Sequence, residues 1–306
     1  MFSNQLEATN KHLKKLATTA SLALAIFLTI IKTFGVLYTG SLSVLSSMID
    51  SLADIFASLI TFFAVHISSR PADKEHRYGH GKAEALSALI QSAFICGSGF
   101  FIIYDAVIRF LSPRTIPQSW IGIIIMIISL ILTICLIIFQ HYVAKRTKSQ
   151  AIIADALHYY VDVITNFGII FSLFIVHQWN IFWIDTITAI IVSAYLIFNA
   201  YKLATDAISL LMDKELDDSI REHITKIALS SDHIMGIHDL RSRNMGDKYI
   251  FELHLELDGN LALAQAHQYT NNVEKSIKQA YPGAQIIIHQ DPSGTSEPKL
   301  DKEIKI

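Results

Sequence analysis

The sequence predicts a membrane protein: an α-helical bundle with six transmembrane helices, followed by a soluble α+β domain. Of the 306 residues, 52% are hydrophobic and only 17% are charged, and the mean hydropathy is +0.40. Soluble globular domains do not have this composition. The apolar residues are concentrated in long runs before residue 213, whereas the chain after that point has the charge density of a soluble domain.

Six predominantly apolar runs of roughly 20 residues are long enough to cross a bilayer as helices. The start of the chain is polar and the first run is too long for the core of a signal peptide, so we interpret it as a true span. The predicted spans cover residues of about 16–38, 43–66, 84–110, 119–143, 153–176 and 181–211.

The basic residues predict the orientation of this bundle, because lysine and arginine accumulate in cytoplasmic loops. They lie before span one, between spans two and three, and between spans four and five: Lys11, Lys14, Lys15, Arg70, Lys74, Arg77, Lys82, Lys145, Arg146 and Lys148. The alternate loops hold Arg114 alone. We therefore expect a multi-pass protein of the inner or plasma membrane with both termini in the cytoplasm.

Several functional classes receive no support from the composition. The net charge of -2 gives no reason to expect a nucleic-acid partner. Cys96 and Cys135 both fall in apolar runs, so neither a disulfide framework nor a CxxC metal site is predicted. The chain has no GxxxxGK[ST] phosphate-binding loop and no DKTG-like phosphorylation sequence, which argues against an ATP-driven pump.

A second domain is predicted after residue 213, where "DKELDDSIREHITKIALSSD" has the pattern of a soluble helix. "KYIFELHLELD" alternates apolar and polar residues as a strand with one wet face does, and "AQIIIHQDP" is a further short strand. The order helix, strand, strand, helix, strand suits a small α+β layer fold. We expect a transmembrane domain at 1–213, a cytoplasmic domain at 214–292 and a disordered tail at 293–306.

Two aspartates interrupt the second apolar run. An acid near the centre of a transmembrane helix opposes insertion by ~2.5–3.5 kcal/mol, so Asp50 and Asp54 together cost roughly 5–7 kcal/mol if they are charged and unpaired. Their i, i+4 spacing places both carboxylates on one face, where Ser47 and Ser58 continue the polar stripe. Some partner must compensate for this cost.

The fifth run repeats the arrangement with His158 and Asp162, flanked on the same face by Asp155 and Asn166. A single such pair is as consistent with a polar patch satisfied by neighbouring helices or water as with a ligand pair. Two pairs together supply three carboxylates and one imidazole, a nitrogen and oxygen set that suits a tetrahedral divalent cation such as zinc. The sequence therefore predicts an intramembrane metal site.

Three functions could use such a site. A transporter carries the ion across the membrane. An intramembrane metalloenzyme would need an open coordination position and a general base, and HExxH is absent. A membrane-anchored metal sensor would have no use for aspartates buried in its anchor.

The motifs together resemble those of the cation diffusion facilitator family, of the bacterial zinc and ferrous-iron exporter type. They are the DxxxD of span two, the HxxxD of span five, the loop "DKEHRYGHGKAE" and the ending "IIIHQDP", and the resemblance extends from about residue 10 to residue 292. It implies a homodimer with six spans per protomer and a cytoplasmic domain with a ferredoxin-like or metallochaperone-like fold. It also implies a secondary transporter, not an enzyme, that exchanges a divalent metal for protons.

The family's transport site falls on Asp50, Asp54, His158 and Asp162. This set resembles the zinc type, whereas manganese-type members usually have aspartate in place of the histidine. A nitrogen ligand agrees with zinc on chemical grounds, and Fe²⁺, Cd²⁺, Co²⁺ or Ni²⁺ are alternative substrates.

Two further groups match family positions near the predicted membrane surface. A loop metal site falls on Asp73, His76 and His80, although an HxxxH in a basic loop is also consistent with a solvated surface. Lys82 and Asp213 match the family's ion-pair position at the junction of membrane and cytoplasm, although unrelated interfacial charges would look the same.

A third metal site, in the cytoplasmic domain, falls on His238, His254, His267, His289 and Asp291. His289 and Asp291 are two residues apart on a predicted strand and therefore share a face. Zinc would be a structural or regulatory ion there. The remaining histidines match no ligand position of the family: His12, His66, His141, His177, His223 and His233.

Overall fold

The computed structural model describes residues 2–39, 42–111, 120–179 and 183–294. These ranges form eight helices and three strands: α1 (Phe2–Thr39), α2 (Leu42–Ser68), α3 (Ala83–Leu111), α4 (Trp120–Thr147), α5 (Gln150–Trp179), α6 (Trp183–Leu211), α7 (Asp218–Leu229), β1 (Gly236–Asn244), β2 (Tyr249–Leu257), α8 (Leu263–Ala280) and β3 (Gln285–Pro292). From residue 295 onward, the predicted disordered tail lies outside the described residues.

The chain divides into two compact units. One consists of residues 1–76 and 83–208 and contains α1 to α6 almost entirely. The other consists of residues 77–82 and the chain from 209 onward. The short segment before α3 therefore belongs with the C-terminal unit.

In the helical unit, small residues line the helix contacts and large apolar side chains point outward. Ala88, Ala154 and Ala200 are at most 1% exposed in the cluster formed by α3, α5 and α6, whereas Phe34 and Phe101 are 67% and 68% exposed. Such a surface is stable in lipid, and small residues allow close packing of transmembrane helices. The prediction of a membrane-embedded bundle is confirmed.

Four stretches within the described residues are long and apolar enough to cross a membrane: Thr9–Gly35, Ser51–Ser68, Ala83–Ile108 and Ile127–Thr147. They lie in α1 to α4 and correspond to the first four predicted spans. The fifth and sixth predicted spans coincide with α5 and α6, and their passage through the membrane stays a prediction.

The second unit confirms the predicted α+β order. The sheet order is β1-β2-β3, with β1 antiparallel to β2 and β2 parallel to β3. One face of the sheet meets α7 and α8 in a core that includes Ile224, Phe251, Leu255, Val273 and Ile277. The alternation along β2 therefore leaves its polar residues on the opposite face.

Segment 77–82 lies against the turn that joins β1 and β2. A Cβ atom on Gly81 would lie 2.1 Å from the carbonyl oxygen of Met245, and one on Gly246 would lie 2.5 Å from the carbonyl oxygen of Gly81. Gly246 also has a φ of +94°, which favours glycine. Only glycine at both positions allows the two backbones to approach this closely.

Candidate metal sites

Three of the four predicted transport-site residues converge between α2 and α5. Nε2 of His158 lies 3.2 Å from Oδ1 of Asp54. Asp54, His158 and Asp162 each offer one ligand atom, and these atoms all lie within 4.8 Å of one another. Asp50 lies one helical turn before Asp54 on α2, and its side chain is outside the described part of the structure.

The local geometry follows from helical periodicity. His158 and Asp162 are one turn apart on α5, so both point to the same side of that helix. The side chains of His158 and Asp54 are only 12% and 13% exposed. Two carboxylates and an imidazole in such a shielded place suit a divalent cation, whose charge would offset the burial of the acids.

Asp155, which the sequence placed beside this group, is completely buried one turn before His158. Ser21 donates a hydrogen bond to it over 2.6 Å, and Gln140 donates another over 2.6 Å. Thr61 donates a third over 3.3 Å. Asp155 is therefore held by α1, α2 and α4.

The predicted loop residues fall in an exposed part of the chain. Oδ1 of Asp73 accepts hydrogen bonds from the backbone N–H groups of Glu75 and His76, and Nδ1 of His76 lies 3.4 Å from the same oxygen. The side chains of His76 and Asp73 are 58% and 53% exposed. His80 follows in segment 77–82, which belongs to the second unit.

The sheet brings three of the predicted cytoplasmic ligands into one row. His238 on β1 is the direct partner of His254 on β2, and His254 is the direct partner of His289 on β3. The ring centroids of neighbouring histidines are 5.0 Å and 4.8 Å apart. This histidine row lies on the face of the sheet that α7 and α8 leave open.

Asp291 joins the histidine row from the next position on the same face of β3. Its carboxylate lies 2.8 Å from Nδ1 of His254, 3.3 Å from Nε2 of His238 and 3.2 Å from Nε2 of His289. The side chain of Asp291 is only 6% exposed, whereas that of His289 is 66% exposed. His254, His289 and Asp291 form one group of candidate ligands and His238, Asp239 and His254 form a second, each with its ligand atoms within 4.8 Å of one another. Each group suits a zinc ion, and the first is open to solvent at His289.

Glu256 was missed by sequence reasoning, although it lies two residues after His254 on the same face of β2. Its Oε1 is 3.2 Å from Nδ1 of His238, while Nε2 of the same ring faces Asp291. The contact is an ion-pair distance without hydrogen-bond geometry, so Glu256 adds a negative charge beside a candidate ligand histidine. The period-two alternation of β2 was a signal that could have identified it.

His267 lies apart from the histidine row. It is exposed on α8, and its Nε2 is 3.0 Å from the side-chain amide of Asn271. Val273 and Ile277 of the same helix pack into the core on the other face of the sheet. The sheet therefore separates His267 from the row within one chain.

Lys82 and Asp213 lie together within the second unit. Nζ of Lys82 is 2.8 Å from Oδ1 of Asp213, and Nη1 of Arg243 is 3.8 Å from Oδ2 of the same aspartate. Arg243 also forms an ion pair of 3.0 Å with Glu252 and lies over the ring of Tyr78 at 5.3 Å. Segment 77–82 is thus bound to strand β1 by charge as well as by backbone contact.

Comparison with known proteins agrees with these features over most of the chain. Residues 18–212 match the family described as the cation efflux transmembrane domain, and residues 216–293 match the cytoplasmic domain of cation efflux proteins. The chain is 40% identical over 278 residues to the cation-efflux pump FieF of Shewanella oneidensis, covering 91% of this chain and 94% of that protein. It is 41% identical over 287 residues to FieF of Pectobacterium carotovorum, with coverage of 92% and 95%.

Among solved structures, the metal-bound C-terminal domain of the CzcD transporter from Thermotoga maritima is similar to part of the chain. It is 23% identical, with a TM-score of 0.25, and covers 27% of this chain and 100% of that one. The family assignment therefore rests on the two domain matches and the full-length relatives. These make an intramembrane metalloenzyme untenable. The chain belongs to the cation diffusion facilitator family and is a membrane transporter that exports cations, not an enzyme.

Proposed function

We propose that the chain exports divalent metal ions, with Zn²⁺ as the preferred substrate, in exchange for protons. The transport site consists of Asp50, Asp54, His158 and Asp162. The observation that carries this proposal is the convergence of Asp54, His158 and Asp162 between two apolar helices, within 4.8 Å of one another. Acids are retained in such a place when an ion compensates for their burial.

The ligand types support zinc. An imidazole with carboxylates forms a mixed nitrogen and oxygen set, whereas manganese is better served by oxygen ligands alone. Fe²⁺, Cd²⁺, Co²⁺ and Ni²⁺ accept the same donors and are alternative substrates. Pocket geometry then decides between ions of similar affinity.

Proton exchange follows from the chemistry of the ligands. Carboxylates and imidazole bind a metal only when they are deprotonated, so metal binding releases protons and arriving protons weaken the metal. Histidine exchanges protons near neutral pH. A site that faces the cytoplasm and the outside in turn would take up metal on one side and release it to protons on the other.

The membrane arrangement is part of the proposal. Helices α1 to α6 form six spans, both termini are cytoplasmic, and two protomers form a homodimer. Residues 214–292 then form the cytoplasmic domain, and the Lys82–Asp213 pair lies near the membrane surface. The loop residues Asp73, His76 and His80 form a weaker, accessory metal site.

The histidine row is a regulatory metal site in this proposal. His238, His254, His289 and Asp291 supply the ligands, and the carboxylate of Glu256 lies beside the ring of His238. Because the sheet separates His267 from this row, His267 could contribute only from a second copy of the chain. Zinc bound there would bring two cytoplasmic domains together.

Zinc flux into liposomes tests the transport proposal. Purified full-length protein is reconstituted with a zinc-sensitive dye inside the vesicles, and flux is measured under imposed pH gradients. Asp54→Ala and Asp162→Ala each remove one ligand of the transport site. Each should abolish zinc flux while leaving membrane insertion and dimerisation intact. Asp206→Ala, which removes an exposed acid from α6, is the matched control and should transport normally.

Full zinc flux by Asp54→Ala would refute the site. Flux that is insensitive to an imposed proton gradient would refute the exchange mechanism and leave the site standing. Competition with manganese, cadmium, cobalt, nickel and ferrous iron in the same vesicles measures the substrate preference.

A further inference from the structure

Asp155 is a fully buried acid for which the proposed transport site has no direct use. It lies on α5, one turn before His158, and is 0% exposed. Its Oδ2 accepts hydrogen bonds from Ser21 and Gln140, and its Oδ1 accepts one from Thr61. Both oxygens are thus occupied by donors from three other helices, so Asp155 is not placed as a metal ligand.

A second contact joins α2 and α5 at the same level. The hydroxyl groups of Tyr159 and Ser58 are 2.8 Å apart, and the Ser58 hydroxyl is 2.9 Å from that of Ser21. The side-chain amide of Gln91 on α3 donates to Thr61. We call these buried side chains the Asp155 network: Ser21, Ser58, Thr61, Gln91, Gln140, Asp155 and Tyr159.

The network lies next to the ligands on both helices that carry them. Ser58 is one turn after Asp54 on α2, and Asp155 is one turn before His158 on α5. A hydrogen bond between side chains needs donor and acceptor within about 3.5 Å and correctly directed. The contacts of Asp155 and Tyr159 therefore define both the separation and the rotation of α5 relative to α2.

Stability alone does not account for an acid in this position. Replacing buried charged groups with well-packed apolar residues is often neutral or stabilising. A fully satisfied polar network instead favours one arrangement of the surrounding elements, because any other arrangement leaves buried polar groups unpaired. Without such a constraint, alternative packings of apolar helices in lipid differ little in free energy.

We propose that Asp155 is a positioning residue for transport, holding α5 against α1, α2 and α4 so that Asp54, His158 and Asp162 converge on the metal. The proposal rests on the transport site described under Proposed function. It assigns the network to the geometry of the site and not to the transfer of the ion itself. If so, transport depends on the hydrogen bonds of the Asp155 network as a whole. It does not depend on which helix carries the carboxylate.

The test exchanges the two ends of one hydrogen bond. Asp155→Asn removes the carboxylate, and the double variant Asp155→Asn, Gln140→Glu returns a carboxylate to the same place from α4. Zinc and manganese fluxes are measured with full-length protein in liposomes, as KM and maximal rate. Ser193→Ala, which removes a buried hydroxyl of α6 outside the network, is the control and should leave both values unchanged.

We expect Asp155→Asn to raise the KM for zinc by about 10- to 100-fold, as loss of groups that orient metal ligands does, and to reduce the preference for zinc over manganese. The double variant Asp155→Asn, Gln140→Glu should recover most of the affinity for zinc and most of the preference for zinc over manganese. A merely structural loss would lower the amount of folded transporter, and hence the maximal rate, without changing KM or selectivity. Tyr159→Phe, which breaks the bond to Ser58 without affecting a charge, should raise the KM in the same direction.

Unchanged zinc KM in both Asp155→Asn and Tyr159→Phe would overturn the proposal. So would an exchanged variant that is as defective as Asp155→Asn although folded, because the carboxylate would then be needed on α5 itself. Asp54→Ala, measured in parallel, separates this failure from that of the transport site. Full zinc flux by Asp54→Ala would refute the transport site, whatever the result with the Asp155→Asn, Gln140→Glu double variant.

Discussion

Glu84 offers a quantitative test of how the helical unit is held together. It lies in the first turn of α3 with its side chain 8% exposed, and it accepts a hydrogen bond of 2.8 Å from Lys14, which is 14% exposed. Ser68 at the end of α2 donates a second bond over 2.9 Å, and Ser149 just before α5 donates a third. One carboxylate thus connects α1 and α3 with the ends of both ligand-bearing helices.

Glu84→Ala should destabilise the protein strongly, because it leaves a largely buried ammonium group without its carboxylate. Removing one partner of a buried ion pair costs about 3–5 kcal/mol. Each kcal/mol lowers the melting temperature of a unit of this size by about 2–4 °C. A loss of about 3 kcal/mol, the lower end of the range, should therefore lower the melting temperature by roughly 6–12 °C. Glu274→Ala breaks the exposed Lys278–Glu274 pair and should lower it by less than about 2 °C.

Thermal unfolding of the purified full-length protein in detergent measures these shifts. A double-mutant cycle with Lys14→Met isolates the ion pair from other losses, and its coupling should be on the order of 1.5–3 kcal/mol. Additive effects of Lys14→Met and Glu84→Ala would refute the inference that this pair stabilises the bundle. A shift for Glu84→Ala no larger than that of Glu274→Ala would refute the role of Glu84 altogether.

Two further predictions concern the metal sites. His158→Asp should shift the preference from zinc toward manganese in liposome competition, since it replaces the nitrogen ligand with oxygen; unchanged selectivity would mean that pocket size sets the choice. His238→Ala combined with His289→Ala should abolish zinc-induced shortening of the distance between labels on paired cytoplasmic domains, while His223→Ala with His233→Ala should preserve it. Equal closure in both double variants would exclude the histidine row as the sensor.

The candidate transport site was predictable because its information is local. The i, i+4 spacing of His158 and Asp162 is a property of one helix, and charged residues inside an apolar run stand out from composition alone. The partners of Asp155 were not predictable in this way. Gln91 and Gln140 are visible as polar residues in apolar runs, but their targets depend on how helices rotate against each other.

The cytoplasmic site shows the same division. Alternation along β2 predicted which residues share its polar face, and the spacing of His289 and Asp291 did so for β3. Alternation within one strand does not reveal the register between strands. The pairing of His238 with His254 and of His254 with His289 required the sheet itself, as did the separation of His267 from that row.

The sequence by itself therefore determined the membrane bundle, the α+β domain and the residues that could bind metal, because hydropathy and periodicity act over neighbouring positions. Only the tertiary structure decided which of those residues meet. It brought Asp54 of α2 to His158 of α5 and placed Glu256 and Asp291 around His238. Contacts between distant segments depend on helix rotation and strand register, which hydrogen bonds and side-chain packing across the whole unit select together.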